Sequence, residues 1–267
     1  MTIGVMMMKR NNIGIDRIGE VGINNKGTKM IIIEYNSSDD IIVEFLDEHR
    51  CKVRTCYHWF KKGKVRNPCD ITVYGVGYLG NGYEEYTRNI PDIYKRWKQM
   101  IRRCYDPQHI LDFPSYKDCS VCDEFLCFVT FAEWYIENYY EIPGEKMCLD
   151  KDILVKGNKT YSPDKCIFVP EIINNMVVSC NVRRGDLPIG VHYNTNRKTF
   201  IAKCSIVDEN KIRRDIHLGC FDSYIDAFEQ YKQYKEAYIK IIAERYKNQI
   251  PDKLYKALYA YKIEIND

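Results

Sequence analysis

Long apolar runs are missing from this sequence. No stretch approaches the roughly 18 consecutive apolar residues that a membrane-spanning helix requires. The first residues also lack the order of a signal peptide, because the methionines at positions 6 to 8 precede Lys9 and Arg10 instead of following a basic segment. We therefore predict a cytoplasmic protein with no membrane partner.

Paired metal-binding motifs are missing as well, although the chain has 12 cysteines and five histidines. The cysteines are spread over 267 residues, many in apolar patterns where a thiol packs as a small hydrophobe. Cys119 and Cys122 form one C-x-x-C half-site, and Cys104 and Cys166 are the candidates that would complete a four-ligand zinc site. Because no second C-x-x-C and no paired histidines follow, reduced cysteines are the prediction and zinc is the weaker interpretation.

The charge of the chain is low but uneven. The formal net charge is +3, and the segment 183–214 holds eight basic residues against three acidic ones. A local basic block is what contact with nucleic-acid phosphates requires. An ordinary solvated surface gives the same count, so charge alone leaves both interpretations open.

Hydrophobic periodicity and turn residues predict a modular chain. The predicted parts are a small barrel-like β module over 1–68, a linker over 69–91, a central domain over 92–180 and a C-terminal domain over 186–267. The β module is expected from branched strands at 30–35 and 41–45, with a third at 50–56. The linker is predicted because glycine and proline are frequent in this segment.

The central domain is predicted to be helical with a ββα core. Apolar residues at helical spacing indicate a helix over 92–105 and another over about 124–140. A strand over 147–154, a polar loop and a strand over 166–169 follow, and Pro170 is well placed as the first residue of a helix.

The C-terminal domain is predicted to be a three-stranded antiparallel sheet packed on a helix. The strands are expected over 191–193, 199–206 and 213–218, followed by a long helix that Ser223 caps and a final helix over about 252–261. Together the three parts predict an α+β fold.

Alternation assigns the two faces of that sheet. Ala202 and Cys204 are expected to face the helix, with Lys203 between them facing solvent. Cationic and hydrogen-bonding side chains on an exposed twisted sheet are suited to reading the major groove of DNA. The predicted DNA-contacting residues are His192, Asn194, Arg197, Lys198, Lys203, Ser205, Arg213, Arg214 and His217.

The same segment resembles a known DNA-binding family over about 188–247. The motifs are Gly190-Val191, Phe200-x-Ala202, Leu218-Gly219-x-Phe221-Asp222-Ser223, Asp226-Ala227 and Tyr231. They resemble the ethylene-response-factor type domain of plants and its phage relatives, which implies major-groove binding through the sheet. The resemblance implies base- and phosphate-contacting positions near His192, Asn194, Arg197, Lys203, Ser205, Asp215 and His217. The plant domain uses mostly arginine and tryptophan at the contact positions, and this chain has few of either. Arg213 and Arg214 are the expected phosphate clamps.

The central domain carries a second resemblance, over about 92–178. Its motifs are Tyr94-x-x-Trp97-x-x-Met100-x-x-Arg103-Cys104, Val121-Cys122-x-x-Phe125-x-x-Phe128-x-x-Phe131, Leu149-Asp150-Lys151-Asp152, Tyr161-Ser162-Pro163-Asp164-x-Cys166 and Asn174-Asn175. They resemble phage homing-endonuclease-like proteins of the His-Asn-His (HNH) class. The resemblance implies a ββα-metal nuclease fold that uses a divalent ion such as Mg²⁺ or Mn²⁺.

The chain departs from that class at the base position. Lys151 stands where the general-base histidine is expected, and lysine at its ordinary pKa is a poor base at neutral pH. Asp150 and Asn175 are the candidate ligands of a divalent metal, and Asn158 is the candidate for orienting the loop. We therefore expect a degenerate nuclease scaffold that retains no catalysis.

Three functions follow as hypotheses. The first is a non-catalytic or weakly catalytic protein that binds double-stranded DNA. The second is a metal-dependent HNH endonuclease that nicks or cuts DNA, and Lys151 argues against it. The third is a phage counter-defence inhibitor that binds a host defence or nucleic-acid-processing protein in the host cytoplasm. The first is the leading hypothesis, and nothing in the sequence excludes the third.

Overall fold

A computed structural model describes residues 17–177, 187–208 and 212–267. The fold is α+β, as predicted, and the chain forms two compact units. Unit 1 comprises the described residues of Met1–Ser115 together with Asp123–Glu133, and unit 2 comprises those of Tyr116–Cys122 together with Trp134–Asp267.

Unit 1 begins with a four-stranded antiparallel meander. Its strands are β1 (Val21–Ile23), β2 (Lys29–Ser37), β3 (Asp40–Phe45) and β4 (Lys52–Thr55), paired in that order. No ladder joins β1 to β4 within the described chain, so this sheet is open and is not closed into the barrel that the sequence suggests.

A short helix, α1 (Tyr57–Lys61), covers one side of the meander. Its Phe60 is buried in a core with Met30 and Phe45. Gly22 permits this contact, because a Cβ at that position would lie 2.9 Å from the Phe60 ring.

Helices and an irregular segment make up the rest of unit 1. The helices include α2 (Tyr83–Asn89), α3 (Pro91–Tyr105) and α4 (Pro107–Asp112). The predicted amphipathic helix is confirmed by α3, which buries Trp97 completely and donates its indole N–H to the Phe125 carbonyl at 2.7 Å. The expected linker residues are hydrogen-bonded into the unit, with a bridge between Val73 and Gly77.

The prediction of one continuous helix over 124–140 is wrong. The segment forms α5 (Asp123–Leu126) and α6 (Phe128–Asn138). The Tyr78 N–H donates to the Leu126 carbonyl at 3.0 Å, and the Phe128 N–H donates to the Tyr78 carbonyl at 2.9 Å. These backbone groups therefore pair with a distant segment, and the helical ladder is interrupted between them.

Unit 2 contains the predicted ββα order. Strand β6 (Met147–Asp150) pairs antiparallel with β8 (Ile167–Pro170), and α7 (Glu171–Val177) follows. A small parallel pair, β5 (Ser120–Val121) with β7 (Thr160–Tyr161), was not predicted. Strand β6 ends four residues earlier than expected, and Pro170 is the last residue of β8 instead of the first of the helix.

The rest of unit 2 is the predicted sheet on a helix. Strands β9 (Val191–Asn194), β10 (Thr199–Val207) and β11 (Arg213–Phe221) form an antiparallel sheet in the order β11-β10-β9. It packs on α8 (Tyr224–Tyr246), whose first turn is capped by the Ser223 hydroxyl accepting from the Ile225 N–H at 3.2 Å. A last helix, α9 (Asp252–Tyr259), completes the chain.

None of the helices in the described ranges has both the length and the hydrophobicity needed to cross a lipid bilayer.

Candidate nucleic-acid interface and the ββα site

The two faces of the C-terminal sheet are those that alternation predicts. Ala202 and Cys204 are buried against α8, while Lys203 between them is exposed. The register places Lys203 opposite His217 and Ser205 opposite Asp215. The exposed face is therefore built from the odd-numbered positions of the central strand and their partners.

This exposed face is cationic along β10 and β11, with one carboxylate in it. Ser205 donates to Asp215 at 2.5 Å and accepts from Arg213 at 3.2 Å, so the carboxylate and the guanidinium are linked through one hydroxyl. Lys203 has no ion-pair partner among the residues that the structure describes. His192 and His217 are exposed on the same face.

The turn between β9 and β10 presents two more cations. The Asn194 side chain accepts the backbone N–H groups of Asn196 at 3.1 Å and Arg197 at 3.2 Å. Lys198 adopts a left-handed conformation with φ 54°, and both it and Arg197 are exposed. Asn194 therefore shapes the turn, and the two cations after it project into solvent.

Arg214 stands apart from the predicted set. Its partner in the register is Ile206, which packs toward the helix side of the sheet, whereas the Arg213 partner is Val207. The Arg214 guanidinium donates to Asp208 at 2.8 Å. Neighbouring residues of a strand point to opposite faces, so the two arginines do not clamp the same surface.

Asp150 is buried at the end of β6 and serves the backbone. Its Oδ1 accepts the N–H groups of Asp152 at 2.9 Å and Ile153 at 2.7 Å, and this turn ends the strand. Burial, reinforced by the neighbouring Asp152 charge, raises the pKa of Asp150 to about 6. With a pKa near 6 the carboxyl is largely ionised at pH 7, and its Oδ1 is engaged in the turn that ends the strand.

Lys151 is also buried, and it is paired. Its Nζ lies 3.1 Å from an Asp152 carboxylate oxygen and 5.9 Å from the centre of the Tyr161 ring. Burial disfavours the charged ammonium, but Asp152 outweighs burial and raises the pKa of Lys151. A lysine held protonated in this way cannot accept a proton from water near neutral pH.

Asn158 and Asn175 are the other two predicted residues of the ββα site, and their roles differ from those of Asp150 and Lys151. The Asn158 amide donates to the carbonyl oxygens of Lys151 and Thr160, both at 2.7 Å, and so orients the loop as expected. Asn175 is exposed on α7 and lines a cleft whose lining does not include Asp150. Asp150 is buried and Asn175 is exposed, and a divalent-metal pair of these two residues stays a prediction.

The candidate zinc ligands do not form a site in the described ranges. No group of three or more His, Cys, Asp or Glu side chains there is placed to hold a metal ion. Cys104 belongs to unit 1, and Cys119, Cys122 and Cys166 belong to unit 2. Burial raises the pKa of the Cys166 thiol to about 12, so the thiolate needed for ligation is disfavoured.

Comparison of the chain with protein-family models, with curated proteins and with solved structures finds no match.

Proposed function

We propose that this protein binds double-stranded DNA through the exposed face of its C-terminal sheet and uses the ββα segment as a scaffold without catalysis. The observation that carries the proposal is the division of that sheet. One face is buried on α8, and the other presents Lys203, Arg213 and two histidines to solvent.

The shape and the chemistry of this surface suit a duplex. A sheet of this width can enter the major groove, where imidazole and hydroxyl groups hydrogen-bond to base edges. Lys203 and Arg213 supply charge for phosphate oxygens, and Arg197 and Lys198 extend that charge along the β9–β10 turn. Asp215 is linked to Ser205, and its charge limits the net attraction of the face.

The ββα segment supports the non-catalytic part of the proposal. Oδ1 of Asp150 accepts two backbone N–H groups, and the Lys151 ammonium is paired with Asp152. A paired, protonated lysine at the position of the general base supports a scaffold without catalysis.

Binding of the full-length protein to a labelled duplex, followed by fluorescence anisotropy over a range of salt concentrations, tests the proposal. We expect affinity to fall steeply with salt, because phosphate contacts release counterions. The double variant Lys203→Ala, Arg213→Ala should weaken binding by about ten- to a hundredfold, since two charge-assisted contacts are lost.

The control is Lys253→Ala on the exposed surface of α9, which removes the same type of charge away from the sheet. Equal losses in both variants, or binding of the unmodified protein that does not respond to salt, would show that the sheet is not the DNA-binding surface.

A further inference from the structure

Unit 1 carries a second candidate binding surface, which is polar and cationic. It is a groove of about 1130 Å³ between the meander, the segment that follows α1, and the helices α2 and α3. We call it the aromatic-basic groove. Its cationic side chains are Lys26, Lys64, Arg66 and Lys98.

The charge of the groove is not neutralised by its own walls. All four cations are exposed, and the described chain offers none of them a carboxylate within ion-pair distance. Of the two acidic residues that line the groove, Asp70 is held by the Asn24 amide at 2.8 Å and the Thr28 hydroxyl at 2.6 Å. Glu84 is the remaining acidic residue. The four cations therefore give the groove a net positive charge, which attracts phosphates.

Aromatic rings stand among these cations. Trp59 on α1 is 44% exposed, an unusual exposure for the largest apolar side chain, and the Lys64 ammonium lies 5.0 Å from the centre of its ring. Tyr94 on α3 is held at 5.8 Å from the buried Trp97 ring. Tyr83 lines the groove at the start of α2. Tyr83 and Tyr94 are half-buried and Trp59 is exposed, so all three rings keep part of their surface accessible in the groove.

We propose that the aromatic-basic groove binds single-stranded nucleic acid, with the cations on the phosphates and the exposed rings stacked on unpaired bases. Interleaved rings and cations along one groove are the arrangement that single-strand binding uses, because every base has a face that can stack. Bases of a duplex are stacked on each other and cannot use the rings. The volume exceeds the roughly 300–1,000 Å³ typical of a small-molecule pocket and suits several nucleotides.

This inference is independent of duplex binding by the sheet, because the groove belongs to unit 1 and the sheet to unit 2. The groove also gives a signal of its own. Of the three tryptophans of the chain, Trp97 and Trp134 are buried, and Trp59 is the exposed one. Quenching of tryptophan fluorescence by stacked bases therefore reports on Trp59.

The test is titration of the full-length protein with a short oligo-dT, with an oligo-U of equal length and with a duplex. We expect both single strands to quench the fluorescence and the duplex to leave it unchanged. The single strand that binds with higher affinity shows whether DNA or RNA is preferred. Arg66→Ala with Lys98→Ala should weaken single-strand binding by about tenfold or more. Trp59→Leu should weaken binding and remove the quenching.

The matched control is Lys52→Ala. Lys52 is an exposed cation of β4 and points away from Val53 and Thr55, which line the groove. Anisotropy with labelled oligo-dT measures binding in the tryptophan variant, and circular dichroism confirms that each variant is folded.

The inference is overturned if single strands neither bind nor quench, if the duplex quenches as strongly as they do, or if Lys52→Ala costs as much affinity as the groove variants. The sheet variant Lys203→Ala, Arg213→Ala should keep single-strand binding. Loss of duplex binding alone in that variant, or failure of duplex binding altogether, concerns the sheet and leaves the groove result readable.

Discussion

At the scale of single residues, the ββα segment shows how neighbouring groups determine the role of a charged side chain. Asp150 and Lys151 are adjacent and both buried, yet their carboxylate and ammonium are used differently. The carboxylate accepts two backbone N–H groups, and the ammonium pairs with Asp152. Polar groups that are satisfied inside the protein in this way stabilise a turn and are withdrawn from reaction with a ligand.

Replacement of Asp150 by asparagine tests this interpretation through pH. The unfolded carboxyl titrates near 3.8 and the folded one near 6, so the folded state binds the proton more tightly. Stability from this residue is therefore present at low pH and is lost as pH rises from about 3.8 to about 6. Asparagine keeps an oxygen acceptor for Asp152 and Ile153 but carries no charge.

We expect Asp150→Asn to raise the melting temperature at pH 7 by about 2–4 °C, corresponding to about 1 kcal/mol, and to leave it nearly unchanged at pH 4. Thermal denaturation at the two pH values measures the difference. A lower melting temperature at pH 7 would mean that the ionised carboxylate stabilises the fold, and the buried-acid interpretation would be wrong.

At the scale of elements, the position of β9 against α8 depends on one glycine. Gly190 has φ 78°, and a Cβ there would lie 2.1 Å from Cδ2 of Tyr231, a buried ring of α8. The strand cannot approach the helix this closely with any side chain at that position. His192 belongs to this strand and pairs with Ile201, so the position of β9 determines where His192 lies on the exposed face.

Gly190→Ala should therefore lower the stability by about 2–4 kcal/mol, since it combines a steric clash with a strained conformation. Gly157→Ala is the matched control, because Gly157 has nearly the same φ of 79° but nothing within 4 Å of its Cβ position. Chemical denaturation measures the free energy of unfolding of both variants. The comparison separates the cost of the steric clash from the cost of the strained backbone. Equal losses would show that backbone strain alone accounts for the glycine at 190.

At the scale of the whole molecule, the remaining question is whether the chain cuts DNA. Among the described residues, no group of three or more His, Cys, Asp or Glu side chains is placed to hold a metal ion. The order of elements in the ββα segment follows from local sequence patterns, and the Asn158 side chain helps to hold its loop in place.

We accordingly expect the purified protein to leave supercoiled plasmid DNA intact in Mg²⁺ or Mn²⁺, read as conversion to the nicked form on a gel. The sharper comparison is with Lys151→His, which supplies an imidazole with a pKa near 6.5 at the base position. Metal-dependent nicking by the unmodified protein that is lost in Asp150→Ala would establish the nuclease function and refute our proposal.

Local patterns in the sequence predicted much of this fold. The alternation of Ala202, Lys203 and Cys204 gave the correct faces of the C-terminal sheet, and the spacing in α3 gave the buried position of Trp97. Most of the predicted DNA-contacting residues lie on that exposed face for the same reason, whereas Arg197 and Lys198 lie in the β9–β10 turn and Arg214 points to the other face. Strand and helix periods are local properties, so a single sequence contains them.

Contacts between distant segments were decided only by the tertiary structure. The sequence gives no sign that Tyr78 interrupts a helix at 127, since the pairing joins residues about 50 positions apart. Trp59 and Lys64 are close together in the chain, but Lys26 and Lys98 reach the same groove from other elements. Charge and burial at Asp150 likewise follow from its surroundings, because a pKa depends on neighbours in space and not on neighbours in the chain.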